Sequence, residues 1–181
     1  EYEYPLARTH WKKLYLHTFG NLRWEPVPEG NLPPDSFTHR PPHITTEVET
    51  LVYRTDRLSR PTEFTGPIEL HLWASIDSTD ANFIVKLWQI TPGGTRLPIS
   101  RYGALKASYP LDEEKSEIGR PVHDYTKRVP VTPGEIREYV IEMNPTSMVI
   151  PAGHWLELEI TSQCPNECHK ESWTGKVGNM N

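Results

Sequence analysis

The sequence predicts one all-β domain, a sandwich or a barrel, spanning residues 1–181 and carrying long irregular loops, and three observations support this fold class. Apolar and polar residues alternate along several segments, as they do in strands with one side in a core and the other in water. Turns that contain Gly or Pro separate these segments. The 18 prolines among 181 residues are roughly twice the usual share and leave few places for a long helix, because a helix interior excludes proline.

Alternation is clearest in residues 68–76, 137–143 and 155–160. The period of two predicts that the apolar residues of each segment point into a shared core. Because truncating a buried leucine loses its transfer free energy and leaves a cavity, we expect Leu158→Ala to cost about 2–5 kcal/mol. The predicted core residues are Leu70, Leu72, Ala74, Tyr139, Ile141, Leu156, Leu158 and Ile160.

The acidic residues of the last segment, Glu157 and Glu159, fall on the opposite phase. Alternation therefore predicts that both carboxylates face water. Because a solvent-exposed glutamate contributes little to stability, we expect Glu157→Ala to change the free energy of unfolding only slightly.

Three further segments complete the predicted strands. Residues 83–90 are apolar on both phases, which indicates a central strand covered on both sides or a short buried helix. The flanking Asp80 and the Pro-Gly-Gly turn at 92–94 favour the strand. Residues 14–17 and 51–54 supply two more candidate strands near the start of the chain.

Two segments are predicted to be irregular. Residues 23–43 contain six prolines and few apolar side chains, which is typical of a loop that wraps around a domain. Residues 111–121 are highly charged and are predicted to form an exposed excursion that includes at most one helical turn.

Charge and composition exclude several classes of protein. A net charge of −5, with no basic run longer than Lys127-Arg128, argues against nucleic-acid binding because phosphates attract cations. No apolar stretch approaches the roughly 18 residues that span a bilayer. The two cysteines, Cys164 and Cys168, form no disulfide framework, and no N-glycosylation sequon is present because Pro145 interrupts the one that begins at Asn144. These features favour a cytoplasmic protein without a membrane partner.

The local motifs of several enzyme classes are absent. A nucleophile of the α/β-hydrolase type lies in a Gly-X-Ser-X-Gly turn, and no serine of this chain has glycine both two residues before and two residues after it. The dinucleotide-binding, phosphate-loop and His-Glu-X-X-His motifs are also missing. The sequence therefore assigns no catalytic residue. The missing motifs do not exclude a site assembled from scattered residues, such as a chymotrypsin-like triad.

Three groups of side chains have the chemistry of ligands, but each also has an ordinary structural interpretation. Cysteines and histidines can bind zinc, yet only half of a typical zinc motif is present. Oxygen ligands can bind calcium, yet Asp and Asn are also the usual residues of turns. The sequence therefore favours no metal and no cofactor. The groups are Cys164, Cys168 and His169 with His154; Asp77, Asp80 and Asn82; and His39 with His43.

The chain contains six tryptophans, and two interpretations fit them. Indole rings can stack on sugars, which suggests a carbohydrate-binding module. A sandwich that docks onto another domain would expose the same residues when it stands alone. Docking is favoured, and the candidate docking or ligand-facing residues are Trp11, Trp24, Trp73 and Trp155.

Short motifs spread over nearly the whole chain match those of one known family in order and spacing. They occur at residues 3–6, 13–16, 64–67, 79–83, 103–109, 130–134 and 152–154. On these motifs the chain resembles the C-terminal, non-catalytic domain of the X-prolyl dipeptidyl-peptidase and cocaine-esterase-like serine hydrolases.

The resemblance implies a jelly-roll β-sandwich of the galactose-binding-like group. It also implies a partner, namely an upstream α/β-hydrolase domain that holds a Ser-Asp-His triad and cleaves esters or X-Pro peptides. This chain would then be the C-terminal part of a larger hydrolase, stabilising the catalytic domain and helping to wall the active site. In the family a last strand follows the region that corresponds to residues 173–175. Only six residues follow that region here, so we expect this strand to be missing and an unpaired sheet edge or an exposed apolar strip to result, unless a neighbouring chain covers it.

Overall fold

The all-β prediction is confirmed by the computed structural model, which describes residues 7–28, 30, 33–40, 44 and 47–163. Eight strands and no helix occur in these residues, and the strands form one curled, mostly antiparallel sheet in the order β1-β2-β3-β8-β5-β6-β7-β4. The strands are β1 Tyr15–His17, β2 Asn21–Arg23, β3 Leu51–Arg54, β4 Thr62–Ala74, β5 Asn82–Ile90, β6 Arg96–Lys106, β7 Arg137–Ile150 and β8 Trp155–Thr161.

The sheet curls at the junction of β6 and β7, which register at a single residue pair, Gly103 with Met143. Beyond the junction the long pair β4–β7 faces the remaining strands. The ring of Phe83 on β5 accordingly lies 4.7 Å from the ring of Tyr139 on β7, although β6 separates these strands in the sheet order. One core cluster draws residues from both halves, so the architecture is a sandwich.

The predicted phase of the core is confirmed in all three alternating segments. The inward residues of β7 and β8 are buried, and those of β4 are partly buried and pack against the same core. The segment that is apolar on both phases forms β5, which pairs with β6 on one side and β8 on the other. Both candidate strands near the start are also present, as β1 and β3.

The prediction that Glu157 and Glu159 face water is wrong. Glu157 is only 1% exposed and Glu159 only 9% exposed, so both sides of β8 are buried. The reason lies in neighbouring strands, because Arg54, Arg96 and Lys86 lie over the outer side of β8 and pair with the two carboxylates. Alternation places a side chain on one side of a strand but does not say whether that side is covered.

The free edge of β4 is interrupted and partly covered. Among the described strands β4 pairs only with β7, and its register shifts at a bulge between Gly66 and Ile68. Pro67 within the bulge has no N–H to offer, a common way to protect an edge from aggregation. Residues 173–181, after which the sequence predicts the family's closing strand to be missing, lie outside the described part of the chain.

The turn at residues 117–120 rests against this part of β4. The backbone N–H of Gly119 donates a 2.9 Å hydrogen bond to the Glu69 carboxylate on β4. Gly119 has a φ of 77°, and a Cβ added there would lie 2.6 Å from the Trp11 ring and 2.7 Å from Pro67. Glycine is therefore required at this position for both its conformation and its small size.

We expect Gly119→Ala to destabilise the fold by about 2–3 kcal/mol, because it combines a left-handed backbone with a steric clash. Gly94→Ala is the matched control, since Gly94 also has a positive φ (85°) but has open space where its Cβ would lie. The control should cost only about 1 kcal/mol. Equal losses in urea unfolding would show that Trp11 and Pro67 yield without cost.

Candidate docking surfaces

The structure places two of the candidate tryptophans at opposite ends of the sandwich. Trp73, 67% exposed, lies near the end of β4, whereas the half-buried Trp155 begins β8. The strand register aligns Gly103 of β6 with one position on β4 and one position on β8. Trp73 lies five residues from that position on β4, and Trp155 lies five residues from it on β8, in the opposite direction along the strands. At about 3.3 Å per residue this separation is about 30 Å, so the two rings do not share one patch.

The other two candidates lie near different strands. Trp24, which is partly exposed, follows β2, near one edge of the sheet order, and Trp11 packs beside Pro67 on β4 at the other edge. Trp11 thus contacts the 117–120 turn, a structural role that the sequence did not predict.

Trp73 is exposed on the outer side of the β4–β7 pair. Glu138 lies opposite it on β7, and the exposed Ile136 stands two residues before Glu138. Farther along the same side, Val140 is buried beside Tyr109 and His123 of the loop that joins β6 to β7. The loop therefore covers the middle of this face and leaves the end with Trp73 open.

His71 joins two carboxylates on the same outer side. Its Nδ1 lies 2.8 Å from Glu138 and its Nε2 lies 3.0 Å from Glu69. Burial disfavours the charged imidazole, but hydrogen bonds to Glu69 and Glu138 and their negative charges outweigh it and raise the pKa of His71 above its ordinary 6.5. Glu69 also accepts the Gly119 N–H, so His71 helps to hold the 117–120 turn.

Because the folded state raises the pKa of His71, its contribution to stability is full below pH 6.5 and is lost as the pH rises through the folded-state pKa. We expect His71→Gln to destabilise the protein in urea unfolding at pH 5.5 and to do so less at pH 8.5. The pKa of His123 is lowered by burial, which has the opposite pH dependence but is common to both proteins and cancels in the difference. His10→Gln is the control, and a pH-independent effect of His71→Gln would contradict the role of the charged imidazole.

A small cavity of about 80 Å³ lies between the start of β7 and the β6–β7 loop. It is lined by Tyr139, whose buried hydroxyl has no hydrogen-bond partner in the described part of the molecule, and by His123 and Arg137. Binding pockets for drug-sized molecules usually measure about 300–1,000 Å³. The cavity therefore has room for a few water molecules and not for such a ligand.

The outer side of β3, β8, β5 and β6 carries an ion-pair network. Arg54 and Arg96 both donate to the buried Glu157, Arg96 through an Nε contact of 2.7 Å. Glu159 accepts hydrogen bonds from Arg96 Nη2 at 3.0 Å and from the Trp88 indole at 3.2 Å. The carboxylates are buried, whereas the Arg54 and Arg96 side chains remain 61% and 45% exposed.

Two of the side chains considered as metal ligands, Asp80 and His154, have other partners. Asp80 accepts hydrogen bonds from the backbone of Ala81 and from the backbone and hydroxyl of Ser108, and it pairs with Lys106. His154 is bonded to Gln89. Within the described ranges no group of three His, Cys, Asp or Glu side chains could hold a metal ion. The other side chains considered as ligands, at 43, 164, 168 and 169, lie outside those ranges.

The structure brings one serine and one histidine together, Ser162 Oγ and His39 Nδ1, 2.8 Å apart. A catalytic histidine needs a third group that orients it. No described carboxylate is hydrogen-bonded to His39, and the pair is exposed rather than set in a pocket. It therefore has the geometry of a surface contact.

The described residues include no helix long and apolar enough to cross a membrane.

Comparison with known proteins places this fold in context. The family model of the X-Pro dipeptidyl-peptidase C-terminal non-catalytic domain matches residues 1–178. Cocaine esterase from Rhodococcus sp. (strain MB1 Bresler) is 28% identical over 138 residues, which are 76% of this chain and 21% of the esterase. The chain thus spans about a fifth of that relative.

Two solved structures share the fold. A CocE/NonD family hydrolase from Staphylococcus aureus superposes with a TM-score of 0.71 at 21% identity, covering 89% of this chain and 30% of the hydrolase. An aminopeptidase from the marine sediment archaeon Thaumarchaeota archaeon superposes with a TM-score of 0.64 at 19% identity, covering 90% of this chain and 31% of the aminopeptidase.

Proposed function

Because the chain belongs to the X-Pro dipeptidyl-peptidase C-terminal non-catalytic domain family, we propose that it is the accessory domain of a serine hydrolase. The match to residues 1–178 carries this proposal. In it, an upstream α/β-hydrolase domain of the same polypeptide performs the chemistry on an ester or X-Pro peptide. The chain contributes a jelly-roll, galactose-binding-like sandwich that stabilises that domain and helps to wall its active site.

The described residues are consistent with a domain that binds and does not catalyse. Acyl transfer needs an activated nucleophile, a base and an oxyanion site in one geometry. The chain has no Gly-X-Ser-X-Gly turn, and the contact between Ser162 and His39 includes no orienting carboxylate among the described groups. The chain also exposes side chains of types that contribute strongly to protein interfaces, namely Arg54 and Arg57 on one surface and Trp73 on another.

The alternative of a carbohydrate-binding module has less support. A sugar platform needs accessible aromatic rings, but the Trp155 ring is covered by the Arg57 guanidinium at 5.3 Å. Trp73 lies at the other end of the molecule, and Trp11 packs on Pro67 and Gly119. These rings therefore do not form a common stacking surface.

Two measurements test the proposal. The coding sequence upstream of Glu1 should contain a Gly-X-Ser-X-Gly turn within a few hundred residues. The purified chain should not hydrolyse p-nitrophenyl esters or X-Pro anilides, whereas its addition to the separately produced upstream domain should raise the stability or the activity of that domain. Turnover by the chain alone that a serine-directed inhibitor abolishes would overturn the proposal.

A further inference from the structure

The outer side of β3, β8, β5 and β6 presents cations above a floor of buried carboxylates. We call this surface the arginine face; it comprises Arg54, Arg57, Lys86 and Arg96 with the rings of Trp88 and Trp155 and the acids Glu157 and Glu159. Register places these residues together, because Arg54, Glu157 and Trp88 lie opposite one another on β3, β8 and β5.

Two arginines of the arginine face lie over aromatic rings. The Arg57 guanidinium lies 5.3 Å from the centre of Trp155, and the Arg96 guanidinium lies 5.0 Å from the centre of Trp88. Stacking and the ion pairs restrain long side chains that otherwise lose entropy when a partner binds. Tryptophan and arginine are also the residues most enriched among those that dominate binding energy at interfaces.

The charge of the arginine face is opposite to that of the chain. Four cations accompany two carboxylates on this face, whereas the whole chain carries a net charge of −5. The acids are buried, so that the groups in contact with water are guanidinium N–H donors of Arg54 and Arg96 and the exposed Arg57. No described carboxylate pairs with Arg57. The surface therefore offers charged donors that are arranged before any partner arrives.

We propose that the arginine face is the docking surface for a carboxylate-rich surface of the catalytic domain, an inference that rests on the proposed function. The planar fork of a guanidinium matches a carboxylate in two parallel hydrogen bonds. A polyphosphate such as a nucleic acid is a poorer match, because the remainder of this acidic chain would repel it. Docking on this side would leave the Trp73 end of the sandwich free.

The test compares two arginines that each lie over an aromatic ring, Arg57 over Trp155 and Arg128 over Tyr109 at 5.9 Å. The 181-residue chain is titrated into the separately produced catalytic domain, and the dissociation constant is measured. Arg57→Glu should weaken binding on the order of tenfold, because it places like charges in contact, whereas Arg128→Glu should change it less than about twofold. Binding of the unaltered chain should also weaken between 50 and 300 mM salt.

Each outcome has a distinct meaning. The unfolding curves of the two variants should match that of the unaltered chain. If Arg57→Glu destabilises the fold, the binding measurement uses Arg57→Gln in its place. If the unaltered chain fails to bind the catalytic domain, the proposed function is wrong. If it binds but Arg57→Glu weakens binding no more than Arg128→Glu does, the two domains dock but not through the arginine face. Weaker binding of Trp73→Ala would be the most direct evidence for this outcome. Arg57-dependent binding to phosphatidylserine vesicles, without binding to the catalytic domain, would also overturn the inference.

Discussion

Replacing Glu157 by alanine should lower the free energy of unfolding by about 3 kcal/mol, the low end of the cost of breaking a buried ion pair. The carboxylate is 1% exposed and accepts hydrogen bonds from both Arg54 and Arg96. The low end applies because both arginines are about half exposed and can regain water when the acid is lost. Urea unfolding at neutral pH measures the difference.

Glu142→Ala is the matched control for this prediction. Glu142 is also a strand glutamate, in the middle of β7, but it is exposed and makes no ion pair with a described residue. Its replacement should change the free energy of unfolding by less than about 0.5 kcal/mol. Equal, small effects of the two substitutions would mean that the network around Glu157 contributes nothing net to stability.

Both sides of β8 are buried, one in the core and the other under the ion pairs. Leu158 is 6% exposed and belongs to the core cluster, so Leu158→Ala keeps its expected cost of about 2–5 kcal/mol. Glu157, its neighbour, is buried just as well on the other side. Truncation on either side should therefore destabilise the sandwich, one through a cavity and the other through unpaired charge.

Much of the sandwich follows from local pattern, because the alternation of apolar residues is a property of each strand by itself. The inward phases of β4, β7 and β8 and the central position of β5 could be predicted in this way. The covering of Glu157 could not, because it depends on register between strands far apart in sequence. Arg54 and Arg96 stand 103 and 61 residues away from Glu157, and no local pattern relates them.

The candidate surfaces were predictable only in part, for the same reason. The polar phase of β4 correctly indicates that Trp73 is exposed, but the same argument does not reveal that Arg57 covers Trp155. The separation of these two rings along the strands depends on the pairing of β6 with β7. A single register pair thus decides which tryptophans can share a surface.

That register pair also supports the last prediction, in which Gly103→Ala should destabilise the protein by about 2–3 kcal/mol, the upper part of the usual range for an overpacked site. A Cβ at Gly103 would lie 2.7 Å from the Glu142 carbonyl oxygen and 2.9 Å from the Met143 side chain. A methionine side chain can rotate away, but the backbone of β7 cannot move without opening the junction at which the sheet curls.

Gly93→Ala is the control, because it makes the same glycine-to-alanine change without the steric clash. Gly93 lies in the exposed turn between β5 and β6, and its added Cβ would meet only the Thr91 hydroxyl at 3.8 Å. It should change the free energy of unfolding by less than about 0.5 kcal/mol. In Gly103→Ala, by contrast, amide hydrogen exchange should accelerate in β7 near Met143, because the two halves of the sandwich separate there first. Unchanged exchange and unchanged stability would show that the curl does not require a glycine at this junction.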